Sequence, residues 1–247
     1  MIYNERQNNI LKILKQQKNI KVSEIAAALY VSEATVRRDL ADMQKLGVIK
    51  RNHGGAILVD VADEISLFVR MNVNARQKEA VAAKAIAHIP EFKSVFIDSS
   101  STALALAQRL ELAHKTVVTN NLQTAILLSR IENINLMILG GNISLASVSI
   151  TGSWTANQLR TFSFDLMLSS CAAVKGTDAY EKSIDQRELK RIAFENSAVR
   201  ILLIDSTKLD KRDGTYLYGS LDSFDKVIFD KLDETQRKRF NGPKFVV

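Results

Sequence analysis

At 247 residues, the chain is long enough for a small domain joined to a larger one. Its composition, 46% apolar and 25% charged, is ordinary for a globular protein and excludes a wholly disordered or fibrous chain. The single cysteine, Cys171, excludes an internal disulfide and a zinc site built on cysteine pairs. We interpret it as a small buried residue rather than as a reactive thiol.

The net charge of +7 is unevenly spread along the chain. Residues 1–56 hold ten Lys and Arg against five Asp and Glu, so most of the excess lies in the first quarter. This asymmetry predicts a polyanion-binding module attached to a nearly neutral domain, with a basic solvated surface as the alternative. The first twenty residues mix charged and apolar positions, and no later stretch approaches the roughly 18 apolar residues of a membrane span. The sequence therefore predicts a cytoplasmic protein.

Three short helices are predicted in the basic quarter. Apolar residues recur at helical spacing over 4–17, which predicts the first helix. Ser23 and Ser32 stand where the N-caps of the second and third helices are expected. Gly47 is expected to end the third helix. The predicted buried stripe of the third helix is Val36, Leu40 and Met43.

The second and third helices form a predicted helix-turn-helix whose third helix faces DNA. Ala34 and Thr35 are small enough to permit close approach to base edges, and two arginines follow them. Consecutive helical residues point about 100° apart, so Arg37 and Arg38 cannot do the same job. One can pair with a guanine edge while the other holds a phosphate or Asp39, and the sequence does not assign which.

Two short strands around the Gly-rich turn 52–55 predict a wing after the third helix. Its cationic residues are expected to contact phosphates or the neighbouring minor groove. A helical pair of this shape can also be a protein-interaction module, but the caps, the paired arginines and the basic wing together favour DNA. The predicted DNA-binding residues are Ser32, Ala34, Thr35, Arg37, Arg38, Lys50, Arg51 and His53.

From residue 76 onward, short apolar runs alternate with segments of helical period. This alternation predicts an α/β domain with a mostly parallel sheet covered by helices on both faces. The predicted strands are 94–98, 116–119, 134–139, 165–168, 200–205 and 226–229, and the predicted helices are 76–88, 102–112, 121–131 and 185–197. The predicted domains are a winged helix-turn-helix over 1–59, a partly helical linker over 60–75 and a sensing domain over 76–247.

Polar or Gly-rich runs follow four of the predicted strands. They begin at Asp98, Thr119, Gly140 and Asp205. Ligands bind at the carboxyl ends of the strands in such sheets, and the start of a helix favours an anion. For each run alone, an ordinary helix cap or turn is the favoured explanation, but together the runs predict a pocket for a small phosphorylated, hydroxyl-rich ligand.

The segments 22–26, 31–40 and 46–56 resemble the winged-helix signature of the DeoR family of bacterial sugar-metabolism regulators. The run S-E-A-T-V-R-R-D-L from Ser32, followed by the wing R-N-H-G-G-A from Arg51, is the specific part of the match. The resemblance continues through the segment 64–70, the four strand ends and Thr151-Gly152, so it covers essentially the whole chain.

This resemblance implies a second domain similar to ribose-5-phosphate isomerase. The phosphate loop of those enzymes reads G-S-T-A where this chain has Ser100-Ser101-Thr102-Ala103, so Ser101 and Thr102 would hold the phosphate and Lys78 would add charge. The candidate effector-binding residues are Lys78, Asp98, Ser99, Ser100, Ser101, Thr102, Thr119, Asn120, Gly140, Gly141, Gly152, Asp205 and Lys208.

The expected function is a repressor of a sugar-utilisation operon that binds double-stranded operator DNA as a homo-oligomer, a dimer or a tetramer. A phosphorylated sugar is its expected effector. The alternative is a sugar-phosphate isomerase fused to a DNA-binding module, although 169–173 lacks the acidic residues that those isomerases carry after the fourth strand. Asp178, Glu181 and Asp185 come later and could substitute for them. A scaffold protein that binds no ligand is a third hypothesis.

No catalytic residue, cofactor, metal or membrane partner is expected. The three histidines, His53, His88 and His114, are scattered without metal-ligand spacing.

Overall fold

The computed structural model describes residues 5–17, 20–45, 49–52, 54–58, 67–211 and 213–247. The chain divides into two compact units, Met1–Val73 and Asn74–Val247. Part of the predicted linker is a helix, Leu67–Asn72, whose Val69 is buried in the core of the first unit. The domain limits 1–59, 60–75 and 76–247 stay a prediction.

The first unit combines helices with a small antiparallel sheet in the order β1-β3-β2. Its helices are α1 (Glu5–Gln16), α2 (Val22–Leu29), α3 (Glu33–Lys45) and α4 (Leu67–Asn72), and its strands are β1 (Ile20–Lys21), β2 (Ile49–Asn52) and β3 (Gly55–Leu58). The predicted helices and the two strands of the wing are confirmed. The sequence does not predict β1, and the expected helix end at Gly47 lies outside the described residues.

The apolar faces of α1, α2 and α3 meet in one core. Val36, Leu40 and Met43, the predicted stripe of α3, are fully buried in it. Each such side chain contributes about 1.5–3 kcal/mol by leaving water. This core holds α3 so that its other faces remain at the surface.

The prediction that Ser23 caps α2 is wrong. The helix begins at Val22, so Ser23 lies inside its first turn. The reason is β1, which runs directly into the helix: the Val22 N–H donates to the Gly54 carbonyl at 2.8 Å. The Lys21 N–H donates to the Glu24 carboxylate at 3.1 Å, which satisfies another backbone donor at this helix end.

The two glycines of the wing have separate structural reasons. Gly54 has φ of +89°, a conformation that L side chains rarely adopt. At Gly55, a Cβ atom would lie 2.2 Å from the Ile20 carbonyl oxygen, because β1 pairs against β3 there. Gly54 therefore permits the tight turn, and Gly55 permits the close pairing of β1 with β3. Neither glycine requires a DNA contact to explain its presence.

The second unit is built on a seven-stranded sheet in the order β15-β14-β12-β9-β4-β5-β6, with every neighbouring pair parallel. The helices of this unit are α5 (Ala75–Ile86), α6 (Ser101–Ala107), α7 (Leu122–Leu128), α8 (Ser153–Leu159), α9 (Ile184–Glu195) and α10 (Glu234–Arg239). Its strands are β4 (Ser94–Ile97), β5 (Thr116–Thr119), β6 (Asn135–Ile138), β7 (Asn142–Ser144), β8 (Ser149–Thr151), β9 (Phe164–Ser170), β10 (Ala173–Lys175), β11 (Asp178–Glu181), β12 (Ser197–Ile204), β13 (Tyr216–Ser220), β14 (Lys226–Phe229) and β15 (Phe245–Val246).

Both faces of the central strands are covered. Along β4, Phe96 packs in one apolar core with α8 and α9, while Val95 and Ile97 pack in a second core with α5 and α6. Successive side chains of a strand point to opposite faces, so each face of the sheet has its own helical layer. The predicted α/β class with a parallel, doubly covered sheet is confirmed.

Two smaller antiparallel sheets complete this unit, and the sequence predicts neither. One is the hairpin β7–β8, and the other has the order β10-β11-β13. Among the helices of the described residues, none is long and apolar enough for a membrane span.

Candidate DNA interface and effector site

A side-chain cap fixes the start of α3. The Thr35 N–H donates to the Ser32 hydroxyl at 3.2 Å, and the two hydroxyl oxygens lie 2.9 Å apart. Ser32 is therefore the N-cap that the sequence predicts. Ser32 and Ala34 are exposed and Thr35 is half-buried, so the first turn presents small side chains at the surface.

The two arginines of α3 differ in their partners. Arg37 donates to the Glu33 carboxylate at 2.7 Å, whereas the exposed Arg38 has no polar partner among the described residues. Asp39 is buried and is held by Arg6 through two hydrogen bonds, at 2.5 and 3.2 Å. The expectation that Arg37 or Arg38 holds either a phosphate or Asp39 is therefore wrong for Asp39, because Arg6 of α1 supplies the cation.

The wing presents further cations. Ile49 is buried, and Lys50 and Arg51 after it are both exposed. In the part of the chain that the structure describes, neither has a polar partner. His53 lies outside the described residues, so its predicted role is not placed. Arg38, Lys50 and Arg51 are thus free to exchange solvent counterions for phosphates.

Asp98, directly after β4, is a buried carboxylate at a strand end, with 1% exposure. Its Oδ1 accepts the Ser100 N–H at 2.9 Å, and its Oδ2 accepts the Ser170 N–H at 3.0 Å. Burial alone would raise its pKa, but the Lys190 ammonium and these hydrogen bonds hold the pKa of Asp98 below its usual value. Asp98 is therefore an ionised carboxylate that ties two strand ends together.

Lys190 is the buried cation at the centre of this arrangement. Its Nζ lies 3.1 Å from Asp98 Oδ2, pairs with the Glu181 carboxylate and donates to the Ser170 carbonyl at 2.6 Å. Burial would lower the pKa of Lys190, but the charges of Asp98 and Glu181 raise it instead. The ammonium and two carboxylates form a pre-formed ionic cluster below the strand ends.

The candidate list from the sequence does not include Lys190, although the sequence carries a weak signal for it. The buried face of α9 includes Gln186, Leu189, Lys190 and Ala193, at helical spacing. A lysine and a glutamine on an otherwise apolar face require polar partners. The sequence could not name those partners, since Asp98 is more than 90 residues away along the chain.

Lys208 lies among hydroxyl groups at the neighbouring strand ends. Its Nζ donates to the Ser170 hydroxyl at 2.7 Å and to the Thr102 hydroxyl at 3.3 Å. These bonds join the loop after β12 to the start of α6 and the end of β9. Unlike Lys190, the Lys208 side chain keeps 14% of its surface exposed.

Asp205 is the acidic partner of Lys208. Its Oδ1 accepts the Thr207 hydroxyl, whereas its Oδ2, 3.5 Å from Lys208 Nζ, has no hydrogen-bond partner among the described residues. Burial would raise the pKa of Asp205, but Lys208, the Thr207 hydroxyl and the charge of Lys78 hold it below its usual value. Lys78, Thr102, Asp205 and Lys208 therefore form one group at the carboxyl edge of the sheet, which we call the lysine group.

Gln186 organises a second polar group beside Asp98. The Ser99 hydroxyl donates to Gln186 Oε1 at 2.8 Å, and Gln186 Nε2 donates to the Ser149 hydroxyl at 2.7 Å. Asn120 donates to the Ile150 carbonyl at 3.1 Å and faces Gln186 Oε1 at 3.5 Å. Gln186 therefore brings Ser99 and Asn120, two of the candidate residues at the strand ends, close together. Gln186 itself is not among the candidates from the sequence.

Two of the candidate hydroxyls have ordinary local roles. The Ser100 side chain caps α6 by accepting the Ala103 N–H at 3.1 Å, and the Thr119 hydroxyl donates to the Ile97 carbonyl at 2.7 Å. Ser101 is buried at the first position of α6. For Ser100, an ordinary helix cap is therefore a sufficient explanation.

The three candidate glycines pack against α8 and the β7–β8 hairpin. The Gly140 carbonyl accepts the Thr155 hydroxyl at 2.8 Å, and a Cβ at Gly141 would lie 2.0 Å from the same hydroxyl oxygen. Gly152 precedes α8 with φ of +104°. The close approach of Thr155 explains the glycine at 141, and the positive φ explains the glycine at 152. The contacts given for these glycines do not join them to the lysine group.

Cys171, which follows β9, is 5% exposed. Burial raises the pKa of its thiol to about 12, so it stays protonated near neutral pH. The interpretation of Cys171 as a small buried residue is confirmed.

A winged helix-turn-helix with exposed cations, joined to an α/β unit with a polar strand-end cluster, defines a DNA-binding transcriptional regulator. Two family models match the chain: the DeoR-like helix-turn-helix domain over residues 6–62 and the DeoR C terminal sensor domain over residues 73–231. The chain belongs to the DeoR family, as the sequence resemblance predicts.

Named relatives match nearly the full chain. The HTH-type transcriptional regulator GolR of Listeria innocua is 32% identical, over 96% of this chain and 94% of its own. The lactose phosphotransferase system repressor of Streptococcus mutans is 30% identical over 96% of each chain. The glycerol-3-phosphate regulon repressor of Escherichia coli is 30% identical over 92% of this chain and 90% of its own.

Among solved structures, ribose 5-phosphate isomerase A from Methanocaldococcus jannaschii matches 55% of each chain with a TM-score of 0.41 and 17% identity.

Proposed function

We propose that this protein represses a sugar-utilisation operon and that a phosphorylated sugar bound in the second unit controls its affinity for operator DNA. The lysine group carries the proposal. It sets Lys208 beside the Thr102 hydroxyl and Asp205, and the charge of Lys78 acts on the same carboxylate. A phosphate monoester carries about −1.5 to −2 charges near neutral pH and would take the two ammonium groups as partners. Asp205 Oδ2 would then accept a sugar hydroxyl.

The names of two relatives support this assignment. One represses a lactose phosphotransferase system and another a glycerol-3-phosphate regulon. We therefore assign to this chain the role of a repressor that responds to a phosphorylated effector. It would act in the cytoplasm, where operator DNA lies. The particular sugar is left to experiment.

We further propose that the second unit binds its ligand without transforming it. Isomerisation requires a carboxylate that can take and return a proton, with a pKa near the working pH. Asp98 is buried with a lowered pKa, and Glu181, one of the acids that could substitute, is paired with Lys190. Both carboxylates are committed to the ionic cluster.

Operator recognition is proposed to require a homo-oligomer. A single recognition helix reads too few base pairs for specificity, so a symmetric oligomer places one copy of α3 on each half-site. Arg38, with Lys50 and Arg51, supplies the proposed contacts to bases and phosphates.

A thermal-shift screen with phosphorylated sugars tests the sensing claim, because a ligand selective for the folded state raises the Tm. Each sugar phosphate is paired with its unphosphorylated sugar, and Lys208→Ala is the matched protein control. We expect at least one phosphorylated sugar to raise the Tm of the wild type but not that of Lys208→Ala. The proposal fails if no phosphorylated sugar does so, and turnover of a bound sugar phosphate would favour the isomerase instead.

A further inference from the structure

Large apolar side chains are exposed in one part of the second unit. Of the ten that are exposed among the described residues, six lie within residues 126–154. These six are Ile126, Met137, Ile138, Ile143, Leu145 and Trp154. We call this surface the edge face. Leu145 is 82% and Trp154 70% exposed, which is a large area of apolar surface to leave in water.

The edge face is built from neighbouring elements. Strand β6 ends the central sheet and packs against α7, which carries Ile126. A Cβ at Gly140, two residues after β6, would lie 3.7 Å from the Trp154 indole nitrogen. The β7–β8 hairpin, which carries Ile143 and Leu145, packs against α8 through β8.

Strand β6 is incompletely covered on both faces. Met137 and Ile138 point to opposite faces of the sheet, yet they are 41% and 42% exposed. On the interior strand β4, by contrast, Phe96 and Ile97 are at most 1% exposed. The helical layers that cover the middle of the sheet therefore leave its β6 edge open.

The outer backbone of β6 also lacks a partner strand. The Asn135 and Leu139 N–H groups donate to β5 and its flank, at 2.9 Å to Lys115 and 3.1 Å to Thr119. Because hydrogen bonding alternates along a strand, the N–H groups of Leu136 and Ile138 face away from β5. Within the described ranges no other strand pairs with β6. A free edge of this kind is a template for pairing with another chain.

The charge of the edge face distinguishes between the kinds of partner that could cover it. Five of the six apolar side chains, all but Ile126, lie within residues 133–159, which contain no Asp, Glu, Lys, Arg or His in a chain of which 25% is charged. A nucleic acid or an anionic membrane surface would be met by cations, and this segment has none. Two copies of a chain with net charge +7 repel one another across most surfaces, and a stretch without charge removes that opposition. Depletion of charged residues is also the compositional mark of interface cores.

We propose that the edge face is the surface on which a second copy of this chain docks. An isologous contact would place the edge face of each copy against that of the other, so that the two β6 edges and the two Trp154 side chains are buried together. The inference rests on one part of the proposed function, the homo-oligomer, for which it supplies the interface. It does not depend on DNA binding or on sugar sensing.

Sedimentation equilibrium of the full-length chain, without DNA or sugar, tests the inference. The wild type is expected to be a dimer or larger at micromolar concentration. The double variant Leu145→Glu/Trp154→Glu is expected to raise the dimer Kd by at least about 100-fold, because it would bury carboxylates in an apolar contact. Both side chains are exposed within one copy, so the circular dichroism spectrum should not change.

Leu217→Glu is the matched control. Leu217 is 48% exposed on β13, in a different sheet, and its replacement should leave the Kd within about twofold of the wild type. A monomeric wild type, a double variant that associates like the wild type, or equal dissociation of Leu217→Glu would each overturn the proposal. Because the assay contains neither DNA nor effector, it leaves sugar sensing untested. A monomeric wild type would also contradict the homo-oligomer proposed for operator recognition, whereas a wild-type oligomer that the double variant leaves intact would overturn the edge face alone.

Discussion

The two units of this protein use positive charge in different ways. In the first unit, Arg38, Lys50 and Arg51 are exposed and have no polar partner among the described residues. In the second unit, Lys190 is 4% exposed and lies between two carboxylates. An exposed cation can exchange small counterions for a polyanion, whereas a buried cation must stay with its fixed partners. The surroundings of a lysine or arginine therefore tell more about its role than its identity does.

Lys208 stands between these two extremes. It is largely buried and touches Asp205 and the Thr102 hydroxyl, but part of its side chain reaches solvent. It is bonded mainly to neutral hydroxyls, so an arriving phosphate can replace them at a lower cost than it could displace the carboxylates of Lys190. This difference separates a ligand-binding lysine from a structural one, and the following substitutions test it.

The largest effect is expected from Lys190→Met. Removing the cation leaves Asp98 and Glu181 as buried carboxylates without their counter-charge, which should lower the free energy of unfolding by about 3–5 kcal/mol in a urea titration. The exposed pair Arg160–Glu188 is the control. Although its atoms are 2.7 Å apart, Arg160→Met should cost only about 0.2–1 kcal/mol.

The cost of Lys190→Met should also depend on pH. In the wild type, the lowered pKa of Asp98 contributes stability above its unfolded pKa, and this is lost as pH falls through the folded value. In the variant, burial without Lys190 should raise the pKa of Asp98, so the folded state would bind the proton more tightly. The stability gap between the two proteins should therefore narrow on acidification. A gap that is constant from neutral to acidic pH would contradict the role of Lys190 as counter-charge.

Lys208→Ala should weaken binding of the phosphorylated effector by about 1.5–3 kcal/mol, the usual worth of a hydrogen bond to a charged group. Isothermal titration with the sugar found in the screen measures this directly. Operator affinity without effector should stay at the wild-type level, since Lys208 lies in the second unit. Unchanged effector affinity would remove Lys208 from the site.

Replacing Arg38 should cost more than replacing Arg37. Arg38 has no polar partner in the described structure, while Arg37 is paired with Glu33. If Arg38 reads a guanine, Arg38→Ala should weaken operator binding by about 1–3 kcal/mol and relax specificity at one base pair. Fluorescence anisotropy on operator variants compares the two. A larger loss for Arg37→Ala would reverse the assignment.

The smallest effect is expected from Lys50→Ala in the wing. A phosphate contact carries no sequence information, so its loss should weaken operator and unrelated duplexes alike. The slope of log affinity against log salt concentration should fall by about 1. A loss confined to the operator would instead make Lys50 a base-reading residue.

The fold follows closely from the sequence because its signals are local. The stripe of Val36, Leu40 and Met43 and the alternation of apolar runs with helical segments both depend on neighbours along the chain. The strand β1 is only two residues long and is defined by its pairing with Gly55 and Ala56, so no local pattern announces it.

The candidate site is harder to predict from the sequence, because the residues that contact one another there are distant along the chain. Lys190 acquires its role only when α9 packs under the strand ends and meets Asp98. The contact of Arg6 with Asp39 likewise joins α1 to α3. Conversely, the position of Gly141 after a strand makes it a candidate binding residue, whereas the close approach of the Thr155 hydroxyl supplies a packing reason for it.

The most direct test of the central claim is the binding of the full-length protein to duplexes from the DNA that flanks its own gene, compared with a scrambled duplex of equal length. We expect one duplex to bind at least about 1,000-fold more tightly than the scrambled one at moderate ionic strength, and a phosphorylated sugar to change that affinity. Equal affinity for every duplex, unmoved by any phosphorylated sugar, would contradict the account.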